Sequence, residues 1–274
     1  MTDALRRRDI ALIKADNPGP FTLDGTNTWI VGRDPCWVVD PGPALDGHVA
    51  AVLAEAGRRG AIGGIALTHD HPDHAGAAAL VREGARGLPE PGGDTPSVAA
   101  ARWTGADLIL ADGDAFGPLR VVATPGHATD HLAFVAGDVC FTGDAVLAQS
   151  SVFVAPDPGA LRGYLAALRR LRDLDLALLC TGHGPPVTDP AALLDRYLAH
   201  RADRERRLVE ALADGVRDCD ELLDRVWDDA PASLRLAATA TLLAHLGKLD
   251  EEGRLPADVR RPQWPPEGGL RPVV

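Results

Sequence analysis

Short apolar runs separated by turn residues dominate the first two thirds of the chain. Runs such as Leu119 to Ala123 and Val139 to Thr142 have the length and composition of strands. The predicted strands are residues 28–31, 37–40, 64–68, 108–111, 119–123, 131–135, 139–142 and 176–180. Helical stretches at residues 45–57, 75–83 and 159–171 interrupt them. The pattern predicts a first domain that mixes strands and helices.

The pattern becomes helical from Pro190 onward. Three helices are predicted, at residues 191–212, 220–227 and 232–249, and an acidic capping segment precedes the second. A turn and an extended tail with room for a β-ribbon follow. Three helices with a ribbon are typical of a winged helix, so we divide the chain into domains at 1–190 and 191–274.

Composition narrows the functional classes. The chain has 274 residues and a net charge of -11, with 46% hydrophobic and 24% charged residues, as in ordinary globular proteins. The acidic balance disfavours a protein that coats duplex DNA, and acidic residues outnumber basic ones in the C-terminal domain as well. No apolar run approaches the roughly 20 residues of a membrane helix. The apolar stretch Ile10 to Ile13 is too short for a signal peptide, so we expect a cytoplasmic protein without a membrane partner.

Histidines and aspartates concentrate directly after the predicted strand at residues 64–68. His69, His71, Asp73 and His74 fall within six positions there. Neutral imidazole and carboxylate groups suit zinc, iron or manganese. His69 and His71 project the same way from an extended segment, whereas Asp73 and His74 lie on the following turn and face another point. One cation cannot easily collect all four, so two metals are predicted.

Three further donors follow other predicted strands. His127, Asp144 and His183 each come after a strand and beside a glycine, which lets the backbone turn tightly. Because this arrangement recurs three times, we expect the donors to converge on one point.

These residues carry a family resemblance. The ordered set of histidines and aspartates resembles the metal-binding set of the metallo-beta-lactamase superfamily, and Asp40 in Val38 to Gly42 matches that superfamily's first motif. The resemblance covers about residues 10–190 and implies a four-layer αββα sandwich, an α/β (α+β) fold, with a small winged-helix-like C-terminal domain. The segments at 17–29 and 124–131 resemble the beta-lactamase-like protein 2 group, although Ala128 stands where threonine is usual.

The resemblance also implies roles for the donors. His69, His71 and His127 would hold one zinc ion, Asp73, His74 and His183 would hold a second, and Asp144 would bridge the two, with iron or manganese as alternative metals. A hydroxide bridging the metals would be the nucleophile. Asp73 and Asp144 would then be the catalytic carboxylates. Candidates for supporting a ligand or contacting substrate are Asp40, Asn27 and His131.

Several substrates agree with this interpretation. We favour an ester-like or thioester-like, or otherwise undefined, small substrate. Single-stranded RNA is the alternative, because Arg82, Arg86 and the arginines after residue 195 could form a local basic channel. A lactamase and a nucleic-acid-binding regulator without enzymatic activity are further alternatives, and a homodimer stays open. The helix starting at Ala191 is long enough to cross the mouth of the cleft, so we expect the C-terminal domain to wall it.

Overall fold

The first β-sheet forms one inner layer of the computed structural model, which describes residues 3–88, 95–102, 105–149 and 151–264. A short helix, α1 (Asp3–Arg6), precedes it. Its six strands pair in chain order: β1 (Ile10–Lys14), β2 (Asn27–Val31), β3 (Cys36–Val39), β4 (Ile62–Ala66), β5 (Ser97–Ala100) and β6 (Leu108–Ile109). The first three strands are antiparallel, and β3 to β6 run parallel. Helices α2 (Asp46–Arg59), α3 (Pro72–Ala75) and α4 (Ala78–Gly84) lie in the parallel crossovers.

The second sheet forms the other inner layer. Its five strands are β7 (Ala115–Phe116), β8 (Leu119–Ala123), β9 (Leu132–Ala136), β10 (Val139–Gly143) and β11 (Leu178–Thr181), and they are ordered β11-β10-β9-β8-β7. The strands β10 and β11 pair in parallel, and α5 (Ala160–Arg172) connects them. The other described pairs in this sheet are antiparallel.

The two sheets and their helices pack into four layers through apolar side chains. Trp29, Phe134 and Phe141 fill the space between the two sheets. One outer core joins the first sheet to α2 and α4, and another joins the second sheet to α5 through residues such as Tyr164 and Leu168. This burial stabilises the stack because both apolar faces of each sheet are covered by a neighbouring layer. The expected αββα arrangement is confirmed.

The C-terminal domain consists of α6 (Pro190–Ala213), α7 (Cys219–Val226) and α8 (Arg235–Glu251), and a 3-10 turn (Ala232–Leu234) precedes α8. Asp189 caps α6 and Asp218 caps α7 through their side chains, and the second cap lies in the acidic segment that was predicted. The first turns of α6 pack into the outer core beside α5, and its later turns pack against α7 and α8. The helix α6 therefore contributes to both hydrophobic cores.

Some local predictions were wrong. The helix predicted at 75–83 is two helices, α3 and α4, because the chain turns at Gly76 and Ala77. The strands β1, β5 and β7 were not predicted. The apolar stretch of β1 was considered only as a possible signal peptide, while β5 and β7 are short and β5 is half alanine. Between residues 190 and 264 the structure has one isolated bridge, from Asp218 to Arg260, and no β-ribbon. The stretch at residues 84–96 is rich in glycine and proline, which is typical of a loop, and its residues 89–94 lie outside the described residues.

None of the helices within the described residues combines the length and the apolarity that spanning a bilayer requires.

Candidate metal centre

The predicted donors lie close together, at the ends of strands from both sheets. The segment after β4 carries the histidine-rich motif, and the three other donors follow β8, β10 and β11. The backbone ties these segments together, since Leu132 N donates to Thr68 O at 2.7 Å and Gly182 N donates to Gly143 O at 2.9 Å. The predicted convergence of donors from several strands is therefore observed.

The first donor group consists of His69, His71 and His127. One nitrogen atom from each lies within 4.8 Å of the others. His127 Nε2 is 3.1 Å from His71 Nδ1, and His69 Nε2 is buried without a hydrogen-bond partner. The three imidazoles are therefore close enough to share one cation.

The second donor group consists of Asp73, His74 and His183. Asp73 Oδ2 lies 3.3 Å from His74 Nε2 and 3.4 Å from His183 Nε2. His74 Nε2 is also buried without a hydrogen-bond partner. The three side chains face a common point, as the first group does.

Asp144 stands between the two groups. Its Oδ1 lies 3.5 Å from His74 Nε2 and 3.4 Å from His183 Nε2, and its Oδ2 lies 3.7 Å from His127 Nε2. Each carboxylate oxygen thus faces a different donor group. Gly182 makes this approach sterically feasible, because a Cβ there would be 2.4 Å from Asp144 Oδ1.

Hydrogen bonds behind the cluster orient two of the imidazoles. His69 Nδ1 donates to Thr68 Oγ1 at 3.0 Å, and that hydroxyl donates to Asp40 Oδ2 at 2.7 Å. His74 Nδ1 donates to the same Asp40 oxygen at 2.9 Å. Because the Nδ1 atoms donate outward, the Nε2 atoms of His69 and His74 point into the cluster. Asp40 therefore supports ligands without lying in the cluster itself.

The pKa values differ between the two groups. Burial, with the neighbouring imidazoles, lowers the pKa of His69 well below its ordinary value, and burial lowers the pKa of His127 to about 3. Burial also opposes protonation of His74, but the carboxylates of Asp73 and Asp144 raise its pKa well above the ordinary value. The first group therefore consists of neutral imidazoles at neutral pH, which is the form that binds metal.

The two remaining candidates both act through other residues. His131 is buried, accepts a hydrogen bond from Asp144 N at 3.1 Å and donates to Thr124 Oγ1 at 2.8 Å. Asn27 is also buried, and its amide donates to Thr181 O and Gly184 O, on either side of His183. Asn27 therefore holds the turn that carries His183, which agrees with its candidacy as a supporting residue.

Sequence reasoning missed the support of Asp73. Thr26 is buried, and its Oγ1 donates to Asp73 Oδ2 at 3.0 Å. Asn17 holds Thr26 with two hydrogen bonds, to its hydroxyl oxygen at 3.0 Å and from its backbone N–H at 2.9 Å. Both residues lie in the segment 17–29 that carried the narrower resemblance, which was the available signal.

Comparison with known proteins decides the family. The sequence model of the metallo-beta-lactamase superfamily matches residues 21–183, a range that contains all seven donors. The chain belongs to the metallo-beta-lactamase superfamily. A beta-lactamase associated winged helix domain matches residues 219–261, so the C-terminal helices form a winged-helix domain.

Several relatives of this superfamily member cover most of its length. A beta-lactamase-like protein 2 homolog from Caenorhabditis elegans is 29% identical over 265 residues, 92% of this chain and 86% of the relative. An atrochrysone carboxyl ACP thioesterase from Aspergillus chevalieri is 33% identical over 219 residues, 74% of this chain and 65% of the relative. A crystal structure of a metallo-beta-lactamase family protein from Thermus thermophilus has 26% identity and a TM-score of 0.68, covering 89% of this chain and 94% of that one. The family and the thioesterase relative support hydrolase activity for this superfamily member.

The donor set of this metallo-beta-lactamase superfamily member fits a metal site. Buried polar atoms normally have hydrogen-bond partners, yet His69 Nε2, His74 Nε2 and Asp144 Oδ1 have none. All three residues belong to one group whose donor atoms lie within 4.8 Å of one another. Cations would satisfy these atoms and would screen the crowded carboxylates from each other.

A small cleft of about 70 Å³ opens beside the cluster at His127 and Asp144. The other residues that line it come from three parts of the chain: Pro20, Phe21, Leu23, Leu147, Ser151, Val152, Phe153, Leu234 and Ala237. Leu234 and Ala237 bring the C-terminal domain to the cleft from the start of α8. The C-terminal domain therefore contributes to the wall of the cleft, as expected. The helix α6 does not line the described cleft, because its first apolar stripe packs on α5 and the second sheet.

Proposed function

We propose that this chain is a dinuclear zinc hydrolase that cleaves ester or thioester bonds of substrates with an apolar acyl group. The observation that carries the proposal is the lining of the cleft at His127 and Asp144. Eight of its residues are apolar, and none of its described residues is a lysine or an arginine. Apolar walls favour an acyl chain, whereas a polynucleotide needs positive charge along its path.

Several of the arginines that could have formed an RNA channel contact acidic residues away from the cleft. Arg82 pairs with Asp107 at 3.1 Å and Arg86 with Glu83 at 3.7 Å. On α6, Arg206 pairs with acidic residues of its own helix, and Arg204 is buried against Asp229. None of these side chains is among the described residues of the cleft. Cleavage of single-stranded RNA is therefore the less favoured alternative.

The metals would occupy the two donor groups. His69, His71 and His127 would hold one ion, Asp73, His74 and His183 would hold the other, and Asp144 would contact both through its two oxygens. Zinc suits this mixture of imidazole and carboxylate donors. Two bound ions would supply Lewis acidity that activates water and polarises the carbonyl oxygen of the substrate.

Asp73 is placed to move a proton. Its side chain is 26% exposed, against 10% for Asp144, so it is the carboxylate of the cluster that solvent reaches more easily. Thr26 Oγ1 donates to Asp73 Oδ2, which fixes that oxygen, and Oδ1 has no hydrogen bond among the described contacts. Asp73 Oδ1 would accept a proton from the attacking water and deliver it to the leaving thiol or alcohol.

A substrate panel and an elemental analysis test the proposal together. We expect protein purified without chelator to contain about two metal ions per chain, mainly zinc. We expect it to hydrolyse acyl thioesters and esters and to leave single-stranded RNA intact. Cleavage of RNA without thioester or ester hydrolysis would replace the proposed substrate class with the alternative. A content of one ion or none would contradict the dinuclear centre.

A further inference from the structure

A second cavity adjoins the cleft on the side of the C-terminal domain. It has a volume of about 310 Å³, and we call it the chamber. Five residues line both the chamber and the cleft: Ser151, Val152, Phe153, Leu234 and Ala237. The chamber and the cleft are therefore adjacent and share part of their lining.

The rest of the chamber lining comes from the C-terminal domain. Its apolar residues are Trp227, Ala230, Pro231 and Ala238, and its polar residues are His200, Arg201, Arg204, Asp229 and Thr241. The volume is at the lower end of small-molecule pockets. At roughly 30 Å³ per carbon-sized group, it has room for about ten such groups.

The charged residues of the chamber are engaged by the protein. Arg204 donates to both oxygens of Asp229, at 2.5 and 2.6 Å, and to Val226 O. Arg201 donates to Val152 O and lies over the ring of Tyr164, 5.4 Å from its centroid. Burial lowers the pKa of His200 to about 4, which keeps that imidazole neutral at neutral pH. The Nε atoms of Arg201 and Arg204 have no hydrogen-bond partner, but both are buried from solvent. An entering group therefore meets mainly apolar surface.

Phe153 lines the chamber and also lies against a histidine of the donor cluster. Its ring lies 4.5 Å from the ring of His127, and it lines both cavities. A carbonyl group positioned at the donor cluster would therefore place one of its substituents against Phe153, Leu234 and Ala237.

We propose that the chamber binds the distal part of the acyl chain and sets the acyl length that the enzyme accepts. The inference rests on the proposed ester or thioester hydrolysis. The acyl chain is the better occupant than the leaving group, because the alcohols and thiols that carry acyl groups are polar and would leave hydrogen bonds unmade among these walls. The C-terminal domain is then a specificity element of the hydrolase.

The test is a series of acyl thioesters from acetyl to tetradecanoyl. In the native protein, kcat/KM should rise by up to about fourfold for each methylene group that enters the chamber, and should stop rising when the chamber is full. Equal kcat/KM values for the acetyl and decanoyl substrates would overturn the proposal.

Ala230→Phe fills the chamber, because Ala230 lines the chamber and not the cleft. The ratio of kcat/KM for decanoyl to that for acetyl thioester should fall by about tenfold or more. The matched control is Ala232→Phe, which adds the same ring at an exposed position two residues away that lines neither cavity. An unchanged ratio in Ala230→Phe, with Ala232→Phe also unchanged, would overturn the proposal.

A second variant covers the case in which Ala230→Phe does not fold. Leu234→Ala enlarges the space at the lining that the two cavities share, and the preferred acyl length should shift by two or more carbons. An unshifted optimum would contradict the proposal.

The chamber proposal and the proposed function are contradicted by different results. Hydrolysis of acetyl thioester without any dependence on length overturns only the chamber, whereas no hydrolysis of any ester or thioester overturns the proposed function.

Discussion

Hydrogen bonds from neighbouring polar side chains fix the donor side chains of this site. Thr68 and Asp40 orient His69 and His74, and Thr26 holds Asp73. His131 receives the backbone N–H of Asp144 and so positions that carboxylate between the two donor groups. Such partners set the tautomer and angle of each ligand, and their loss typically weakens metal binding by about 10- to 100-fold.

Thr26→Val tests this role at Asp73. Valine keeps the shape of threonine but cannot donate to Asp73 Oδ2, which lies 3.0 Å from the Thr26 hydroxyl. We expect kcat to fall by about tenfold or more and one of the metal ions to bind more weakly, as measured by metal titration. Thr239→Val is the control, because the Thr239 hydroxyl donates to a carbonyl of its own helix, away from the donor cluster. A Thr26→Val variant with native kcat and metal affinity would show that Thr26 does not position Asp73.

Asp144→Asn tests the carboxylate that faces both groups. The amide keeps the size of the side chain but removes the charge and replaces an acceptor oxygen with a donor. We expect hydrolysis to fall by at least about a hundredfold and the metal content to drop below that of the native protein, while the far-UV circular dichroism stays native. Native turnover with a full metal content would exclude Asp144 from the centre.

The donor residues could be predicted from the sequence, but their supports could not. His69, His71 and the other donors share residue types and spacing that few other functions require. Asn27 and Thr26 are polar residues of an ordinary strand start, and only the fold shows that Asn27 faces the His183 turn. Contacts between residues so far apart along the chain leave no local pattern.

At the scale of elements, the C-terminal helices hold the segment at residues 151–154. Thr241 on α8 accepts from Val154 N at 3.2 Å, and Arg201 on α6 donates to Val152 O. Phe153 lies between these two anchors and contacts His127. Two helices of the winged-helix domain therefore fix a wall of the cleft.

Thr241→Val tests that anchor. The change leaves the buried N–H of Val154 without an acceptor, which costs about 1–3 kcal/mol. We expect the melting temperature to fall by a few degrees and KM for a long acyl thioester to rise, with the metal content unchanged. Ser233→Ala, at an exposed position of the 3-10 turn, serves as the control. Unaltered KM together with the lower melting temperature would limit Thr241 to a structural role.

Element prediction succeeded where one apolar face or run was long. The strand at residues 119–123 and the helix near 159–171 were placed to within a residue or so, because each shows a sustained pattern. The direction of α6 was not predictable. Its apolar stripe indicates that one face is buried, but the partner of that face is set by packing on α5 and the second sheet.

At the scale of the whole molecule, the donor cluster joins the two sheets. His69, His71, Asp73 and His74 follow a strand of the first sheet, and the other three donors follow strands of the second. Bound metals would therefore cross-link the two inner layers as well as serve the reaction. Ligands that bind only the folded state stabilise it by mass action.

Metal removal should accordingly destabilise the entire first domain. For each metal ion present at about a thousand times its dissociation constant, the loss is about 4 kcal/mol, which corresponds to roughly 10 °C in melting temperature for a protein of this size. We expect a chelator to lower the melting temperature by that order, and excess zinc to restore it. The Asp144→Asn variant should show a smaller shift, because it has fewer donors to lose. If the native protein has the same melting temperature with chelator as with zinc, the donor cluster does not hold the sheets together through metal.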